Sequence, residues 1–161
     1  MNNKVKDIEF MLHAIEYAKK GIYKTHPNPL VGAIIVKNNR VIGKGFHRKF
    51  RSKHAEQDAI DNCKTDLAGS TMYITLEPCS HHGNTPPCVD LIIKNRIKRV
   101  VIGSKDPNPI INGRGIKILE ENGIDTEVGI CNKDVRELNL PFYCKHENRR
   151  PFIRSKHAIS I

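Results

Sequence analysis

The sequence has 161 residues, 39% hydrophobic and 27% charged, and its 27 Lys and Arg against 17 Asp and Glu give a formal net charge of +10. This length and composition predict one domain with a real core, and they exclude a disordered tail and a collagen-like repeat. The uninterrupted apolar stretches are only a few residues long, whereas a membrane-spanning helix needs about 20, so no membrane segment is predicted.

The spacing of apolar residues predicts helices and strands that alternate after an initial hairpin. In chain order they are a helix over 7–20, strands over 31–36 and 41–45, a helix over 54–63, a strand over 72–76, a helix over 87–95, a strand over 99–103, a helix over 115–121, a strand over 124–128 and a helix over 134–140. Gly43 and Gly45 are expected to weaken or bend the second strand. The order predicts an α/β fold in which helices cover both faces of a mixed sheet.

The excess of positive charge is scattered along the chain, with no run of five cations. We interpret it as a compositional bias of the whole sequence. The alternative is an anionic partner: nucleic acid, a membrane surface or a phosphorylated metabolite.

Five cysteines without a secretory signal predict a cytoplasmic protein with no disulfide framework. Cys63 falls on the apolar side of a predicted helix, and Cys131 and Cys144 lack the spacing of metal ligands. These three are therefore interpreted as structural residues.

The remaining cysteines, Cys79 and Cys88, combine with His54 into a candidate zinc site. One imidazole and two thiolates suit Zn²⁺, and three protein ligands leave the fourth tetrahedral position open for a water. Such a metal lowers the pKa of that water to roughly 7. Glu56 follows His54 by two residues, so it is predicted to reach the water without binding the metal and to act as the proton carrier.

The position of Cys88 gives the two thiolates a physical rationale. It follows two prolines and is predicted in the first turn of a helix, with Cys79 in the loop just before it. Free backbone N–H groups and the helix dipole favour thiolates there, so both cysteines are expected to ionise.

His-x-Glu followed by Pro-Cys-x-x-Cys is the signature of zinc deaminases. Here His54, Glu56 and Cys79 fit that signature, but eight residues instead of two separate Cys79 from Cys88. The long spacing is specific, because the segment 78–88 (Pro-Cys-Ser-His-His-Gly-Asn-Thr-Pro-Pro-Cys) closely resembles the deaminase domain of bacterial riboflavin biosynthesis, a zinc-dependent relative of cytidine deaminases. Further similar motifs lie at 25–32, 45–47 and 106–109, and the resemblance extends over about residues 7–157.

This resemblance implies a cytidine-deaminase-like three-layer α/β/α sandwich with one zinc ion per chain. It also implies hydrolytic deamination of 2,5-diamino-6-(5-phosphoribosylamino)pyrimidin-4(3H)-one to 5-amino-6-(5-phosphoribosylamino)uracil. Five residues match family positions that line the substrate pocket: Asn28, His47, His81, Asp106 and Asn108. The implied partners are the phosphorylated pyrimidine nucleotide, further copies of the chain in a homo-oligomer and a separate reductase chain, with no membrane and no specific nucleic acid.

Two departures from the family pattern stand out. Asn84 occupies a position where the family commonly has a basic residue, so a contact to the substrate phosphate is expected to weaken or to be supplied by Arg51 or Lys53. Residues 149–161 resemble the opening of a reductase domain that then does not follow. We therefore expect a deaminase domain over 1–148, a weakly anchored tail and no reductase activity.

Two rival functions remain at this point. A tRNA-type base deaminase would agree with the basic charge, but that class normally has the short cysteine spacing and favours stacking aromatics, and this chain has no Trp. A non-catalytic zinc module would need a fourth protein ligand, for which His81 or His82 are the candidates.

Overall fold

A mixed five-stranded sheet forms the middle layer of the structure, a computed structural model that describes residues 3–81, 86–109, 111–153 and 155. The strands are β1 (Gly32–Lys37), β2 (Arg40–Phe46), β3 (Thr71–Leu76), β4 (Arg99–Ser104) and β5 (Asp125–Val128). Their order across the sheet is β2-β1-β3-β4-β5. β1 is antiparallel to β2 and β3, while β3, β4 and β5 are parallel.

Six helices accompany the sheet in the described part of the chain. They are α1 (Asn3–Lys19), α2 (Ala55–Asp61), α3 (Cys88–Lys94), α4 (Arg114–Glu121), α5 (Asn132–Leu138) and α6 (Leu140–Glu147). Among the described helices, none combines the length and the hydropathy needed to cross a bilayer.

The alternation of side chains along the strands produces the two cores. On β1, Ala33 and Ile35 pack into a cluster with α2, α3 and α4, whereas Ile34 and Val36 pack into a second cluster with α1 and α5. Helices therefore cover both faces of the sheet, which confirms the predicted α/β/α sandwich and its mixed sheet.

β2 remains a continuous strand although it contains Gly43 and Gly45. Ile35 pairs with Gly43 and Val36 with Val41, so the register of the β1–β2 ladder shifts beside Gly43. Gly45 has a different reason: a Cβ atom there would lie 2.2 Å from the backbone N of Ala59 and 2.3 Å from the backbone O of Ala55. The missing side chain lets α2 pack directly onto the strand.

The carboxyl-terminal helices differ from the sequence prediction. α5 begins two residues earlier than expected, and α6 was not predicted at all. Pro141 stands in the first turn of α6, where its missing N–H costs no hydrogen bond, but the same residue interrupts the helical pattern of the sequence.

Replacing Gly45 with alanine should destabilise the fold, because the new methyl group would overlap the backbone of α2. Overpacking of this kind costs about 1–3 kcal/mol, and we expect a lower melting temperature in thermal unfolding. Lys44→Ala, at the exposed neighbouring position, is the control. Equal melting temperatures for Gly45→Ala and the wild type would contradict the close packing.

Candidate metal centre and active site

His54, Cys79 and Cys88 converge from three separate segments of the chain. His54 immediately precedes α2, Cys79 lies in the loop after β3, and Cys88 is the first residue of α3. The Nδ1 atom of His54 lies 3.5 Å from the Sγ atom of Cys79 and 3.3 Å from that of Cys88. All three donor atoms are within 4.8 Å of one another.

These distances suit a tetrahedral zinc ion. Zn–S bonds of about 2.3 Å and Zn–N bonds of about 2.0 Å at tetrahedral angles place nitrogen and sulfur roughly 3.5 Å apart. Among the described residues, the group of candidate ligands has three members and does not include His81. His82, the other candidate for a fourth ligand, lies outside the described residues. The described donors thus match a three-ligand site of the catalytic type.

Glu56 lies in the first turn of α2 and is buried, with 3% of its surface exposed. Burial raises the pKa of its carboxyl group to about 7, and the negative charge of Cys79 acts in the same direction. A carboxyl group with this pKa can both accept and return a proton near neutral pH.

The two thiols differ in protonation. The hydrogen bond from the Cys88 thiol lowers the pKa of Cys79 to about 4, with further support from His54 and from the backbone N–H of Cys88, 3.3 Å from the Cys79 sulfur. The hydrogen bond to Cys79 also raises the pKa of Cys88 well above its ordinary value. The expectation of two thiolates thus holds for Cys79 and is wrong for Cys88 without a cation, because one thiolate opposes a second beside it.

The imidazole of His54 completes this charge pattern. Its hydrogen bond to Cys79 raises the pKa of His54 to about 9. Without a metal, Cys79 and His54 therefore form a thiolate–imidazolium pair. A bound zinc ion requires a neutral imidazole and two thiolates, so metal binding must displace protons.

A cavity of about 330 Å³ opens beside this group. The five residues expected to contact the substrate all line it: Asn28, His47, His81, Asp106 and Asn108. His54, Glu56 and Cys79 line it as well. Arg51 and Lys53, the cations expected to replace a basic residue at position 84, are not among the described lining residues, and Asn84 itself lies outside the described residues.

Asn28 and His47 support each other at the cavity wall. The Nδ1 atom of His47 lies 3.0 Å from the carbonyl oxygen of Lys53, and its Nε2 atom lies 3.1 Å from the amide nitrogen of Asn28. A carbonyl only accepts, so Nδ1 carries the proton and Nε2 accepts from Asn28. Burial lowers the pKa of His47, which favours this neutral form.

Glu77 organises the neighbouring wall, a role that its place at the end of a strand pattern did not predict. Its buried carboxylate accepts backbone N–H bonds from Asp106 at 3.2 Å, Gly113 at 2.9 Å and Gly115 at 3.0 Å. A Cβ atom on Gly115 would lie 2.2 Å from the backbone O of Pro78. One carboxylate thus ties the Asp106 loop and the start of α4 to the segment that carries Cys79. The signal available in the sequence was an acidic residue directly before Pro78 and Cys79.

α6 supplies a further wall that the sequence pattern did not predict, with Phe142, Lys145 and His146 lining the cavity. Asn139, at the junction of α5 and α6, accepts a 2.8 Å hydrogen bond from the backbone N–H of Leu30 and donates a 2.9 Å bond to its carbonyl. These two bonds place α6 beside the loop that carries Asn28.

Residues 4–104 match the family model of the cytidine and deoxycytidylate deaminase zinc-binding region. The chain belongs to this family. The match contains His54, Glu56, Cys79 and Cys88, so the zinc-binding region of the family coincides with the three-donor group of the structure.

Its relatives include proteins of riboflavin biosynthesis. The chain is 46% identical to the riboflavin biosynthesis protein RibD of Actinobacillus pleuropneumoniae over 96% of this chain and 41% of that protein. It is 44% identical to the diaminohydroxyphosphoribosylamino-pyrimidine deaminase of Buchnera aphidicola from Schizaphis graminum, over 86% of this chain and 95% of that protein. The chain thus spans about two fifths of the RibD protein and nearly all of the deaminase.

Among solved structures, the diaminohydroxyphosphoribosylaminopyrimidine deaminase/5-amino-6-(5-phosphoribosylamino)uracil reductase of Thermotoga maritima is similar at 45% identity and a TM-score of 0.90. The match covers 94% of this chain and 43% of that protein. The likeness extends from the sequence to the backbone of almost the whole chain.

Zinc binding to the metal-free protein at pH 7 should displace about two protons from the ligand side chains, in addition to the partial ionisation of a metal-bound water with a pKa of about 7. Cys79 is already ionised at this pH, whereas His54 and Cys88 each carry a proton that the metal displaces. A zinc titration in weakly buffered solution with a pH indicator measures the yield. Above the His54 pKa of about 9, the imidazole is already neutral, so the ligand side chains should give up only about one proton, and the metal-bound water gives up another. Binding without proton release at pH 7 would contradict these protonation states.

Removing the Glu77 carboxylate should destabilise the protein strongly, because three backbone N–H groups would lose their acceptor. Each buried unsatisfied donor costs about 1–3 kcal/mol, so Glu77→Ala should lower the free energy of unfolding by at least about 3 kcal/mol. Glu77→Gln keeps one acceptor oxygen and should lower the free energy of unfolding by less than Glu77→Ala does. Denaturant unfolding measures both, with Glu121→Ala on exposed α4 surface as the control. A loss for Glu77→Ala no larger than that of the control would contradict the anchoring role.

Proposed function

We propose that this chain deaminates 2,5-diamino-6-(5-phosphoribosylamino)pyrimidin-4(3H)-one hydrolytically, giving 5-amino-6-(5-phosphoribosylamino)uracil and ammonia with one zinc ion per chain. The observation that carries the proposal is the three-donor group with Glu56 buried beside it in the cavity. The likeness to a protein named as the corresponding deaminase, over 95% of its length, supports the choice of substrate.

His54, Cys79 and Cys88 would hold the zinc through Nδ1 and the two sulfurs. When bound with an open position, zinc lowers the pKa of a water to about 7 and so supplies a nucleophile at neutral pH. The backbone N–H of Cys88 donates to the Cys79 sulfur and fixes the orientation of one ligand. The ring of a second ligand, His54, is restrained by its edge-to-face contact with the ring of His47, at 5.8 Å between centroids.

Glu56 would carry the proton in the reaction. A C–O bond forms at the ring carbon that bears the 2-amino group, and the C–N bond to that group breaks. Glu56 takes the proton given up by the attacking water and returns it to the departing nitrogen, which leaves as ammonia. Its pKa of about 7 suits both transfers, because neither protonation state is strongly favoured near neutral pH.

The cavity residues would orient the pyrimidine and its ribose. Asn28, His47, His81 and Asn108 offer amide and imidazole groups that both donate and accept hydrogen bonds. Asp106 accepts the backbone N–H of Asn108 at 2.8 Å, which rigidifies the loop after β4. Parallel strands of α/β sheets place their ligand loops at this end.

Residues 1–148 form the proposed catalytic domain, because α6 ends at Glu147 and contributes to the cavity. The homo-oligomeric state, a partner reductase chain and a cytoplasmic location stay predictions from the sequence. The reduced thiols that the metal site needs agree with a reducing compartment.

Glu56→Gln separates the proton carrier from the metal ligands. It keeps the size of the side chain but cannot carry a proton, so turnover should fall by about 10²- to 10⁴-fold while zinc is retained. Ammonia release from the diaminopyrimidine nucleotide and metal analysis of the purified protein measure the two effects. Asp61→Asn, at the exposed end of the same helix, is the control. Loss of zinc, or near-normal turnover, in Glu56→Gln would show that the assigned role is wrong.

A further inference from the structure

The α6 wall of the cavity has no part in the chemistry described above. Lys145 and His146 line the cavity from this helix, together with Phe142. The ring of His146 packs against that of Phe142 with centroids 4.7 Å apart. Lys145 is exposed, and within the described part of the chain no carboxylate forms a salt bridge with it.

The charges of the cavity make Lys145 distinctive. Among the described lining residues, it is the only Lys or Arg, whereas Glu56, Glu77 and Asp106 are all carboxylates. A phosphorylated ligand carries about two negative charges near neutral pH and needs at least one cation or several donors. Lys145 supplies a full positive charge, and the His146 imidazole can donate a hydrogen bond.

The two cations expected to replace a basic residue at position 84 are engaged elsewhere. The Nζ atom of Lys53 lies 2.6 Å from a carboxylate oxygen of Asp61, and the guanidinium of Arg51 stacks on the ring of Phe50 at 5.2 Å. The loop sequence between Cys79 and Cys88 contains no Lys or Arg. Neither of these two cations, nor the loop between Cys79 and Cys88, therefore offers an unpaired positive charge to the cavity.

α6 is firmly placed to present these two side chains. At one end of the helix, the side chain of Asn139 makes two hydrogen bonds to the backbone of Leu30. At the other end, Glu147 accepts two hydrogen bonds from Arg136 of α5, at 2.8 and 2.7 Å. Between these two ends of the helix, Tyr143 is buried, with 2% of its surface exposed. A helix fixed at both ends loses little further entropy when a ligand binds.

We propose that Lys145 and His146 form the binding site for the phosphate of a ribose phosphomonoester whose base occupies the cavity. This assignment rests on the proposed function for the identity of the base. Lys145 provides the charge and His146 a directed hydrogen bond. Selectivity for the phosphorylated nucleotide over the nucleoside then comes from α6.

The test compares the phosphorylated substrate with its dephosphorylated ribosyl counterpart. Lys145→Gln should lower kcat/KM for the phosphorylated substrate by about 10- to 100-fold, mainly through KM, and leave the dephosphorylated one nearly unchanged. Lys145→Arg should retain most of the activity. Lys133→Gln removes an exposed lysine of α5 and is the matched control. Equal losses with both substrates, or no loss with either, would overturn the proposal.

A direct binding measurement distinguishes this proposal from the proposed function. Ribose 5-phosphate should bind the zinc-loaded wild type, and Lys145→Gln should weaken this binding by about tenfold or more in calorimetric titration. Equal affinities for the two proteins would overturn the phosphate site whatever the activity. If the wild type deaminates neither substrate while the Lys145-dependent binding persists, the proposed reaction fails and the phosphate site stands.

Discussion

Three donor atoms brought within 4.8 Å of one another, from segments up to 34 residues apart, are the constraint on which the rest of this structure depends. Two neighbouring thiols and an imidazole form a stable cluster without a metal only if their protons are unevenly shared. Cys79 is the thiolate of the cluster: it accepts a hydrogen bond from the Cys88 thiol and forms an ion pair with the His54 imidazolium. The electrostatics that hold the cluster together thus also prepare it for a divalent cation.

The cavity around that cluster is built from loops that polar side chains fix to the backbone. Glu77 holds the Asp106 loop and the start of α4, and Asn139 holds the loop of Leu30. Both side chains are buried, and leaving the backbone N–H groups that they accept without a partner there would cost free energy. Because only one arrangement of the loops satisfies these N–H groups, the hydrogen bonds define the loop conformation. Hydrophobic packing alone would position helices and strands but would leave such loops free to vary.

The sequence predicted those parts of the molecule that depend on local pattern or on specific motifs. The spacing and short runs of apolar residues located the five strands, and the His-x-Glu and Pro-Cys motifs located the metal group and Glu56. It did not predict α6, because Pro141 interrupts the helical pattern, and it did not predict the position of that helix, because Asn139 and Leu30, which fix it, are 109 positions apart. Nor did it predict the raised pKa of Cys88, which depends on the thiolate beside it and not on its place at a helix start.

The cavity combines groups whose ionisation is driven in opposite directions by their surroundings. Burial raises the pKa values of Glu56 and Asp106, whereas hydrogen bonds lower that of Cys79. A further anion, such as a phosphate, would oppose these carboxylates if it lay deep in the cavity. Lys145 is exposed, so a phosphate that it binds sits near solvent, away from the buried Glu56. The charge of the nucleotide and the proton-carrying carboxylate are then kept apart, and Glu56 can keep a pKa suited to proton transfer.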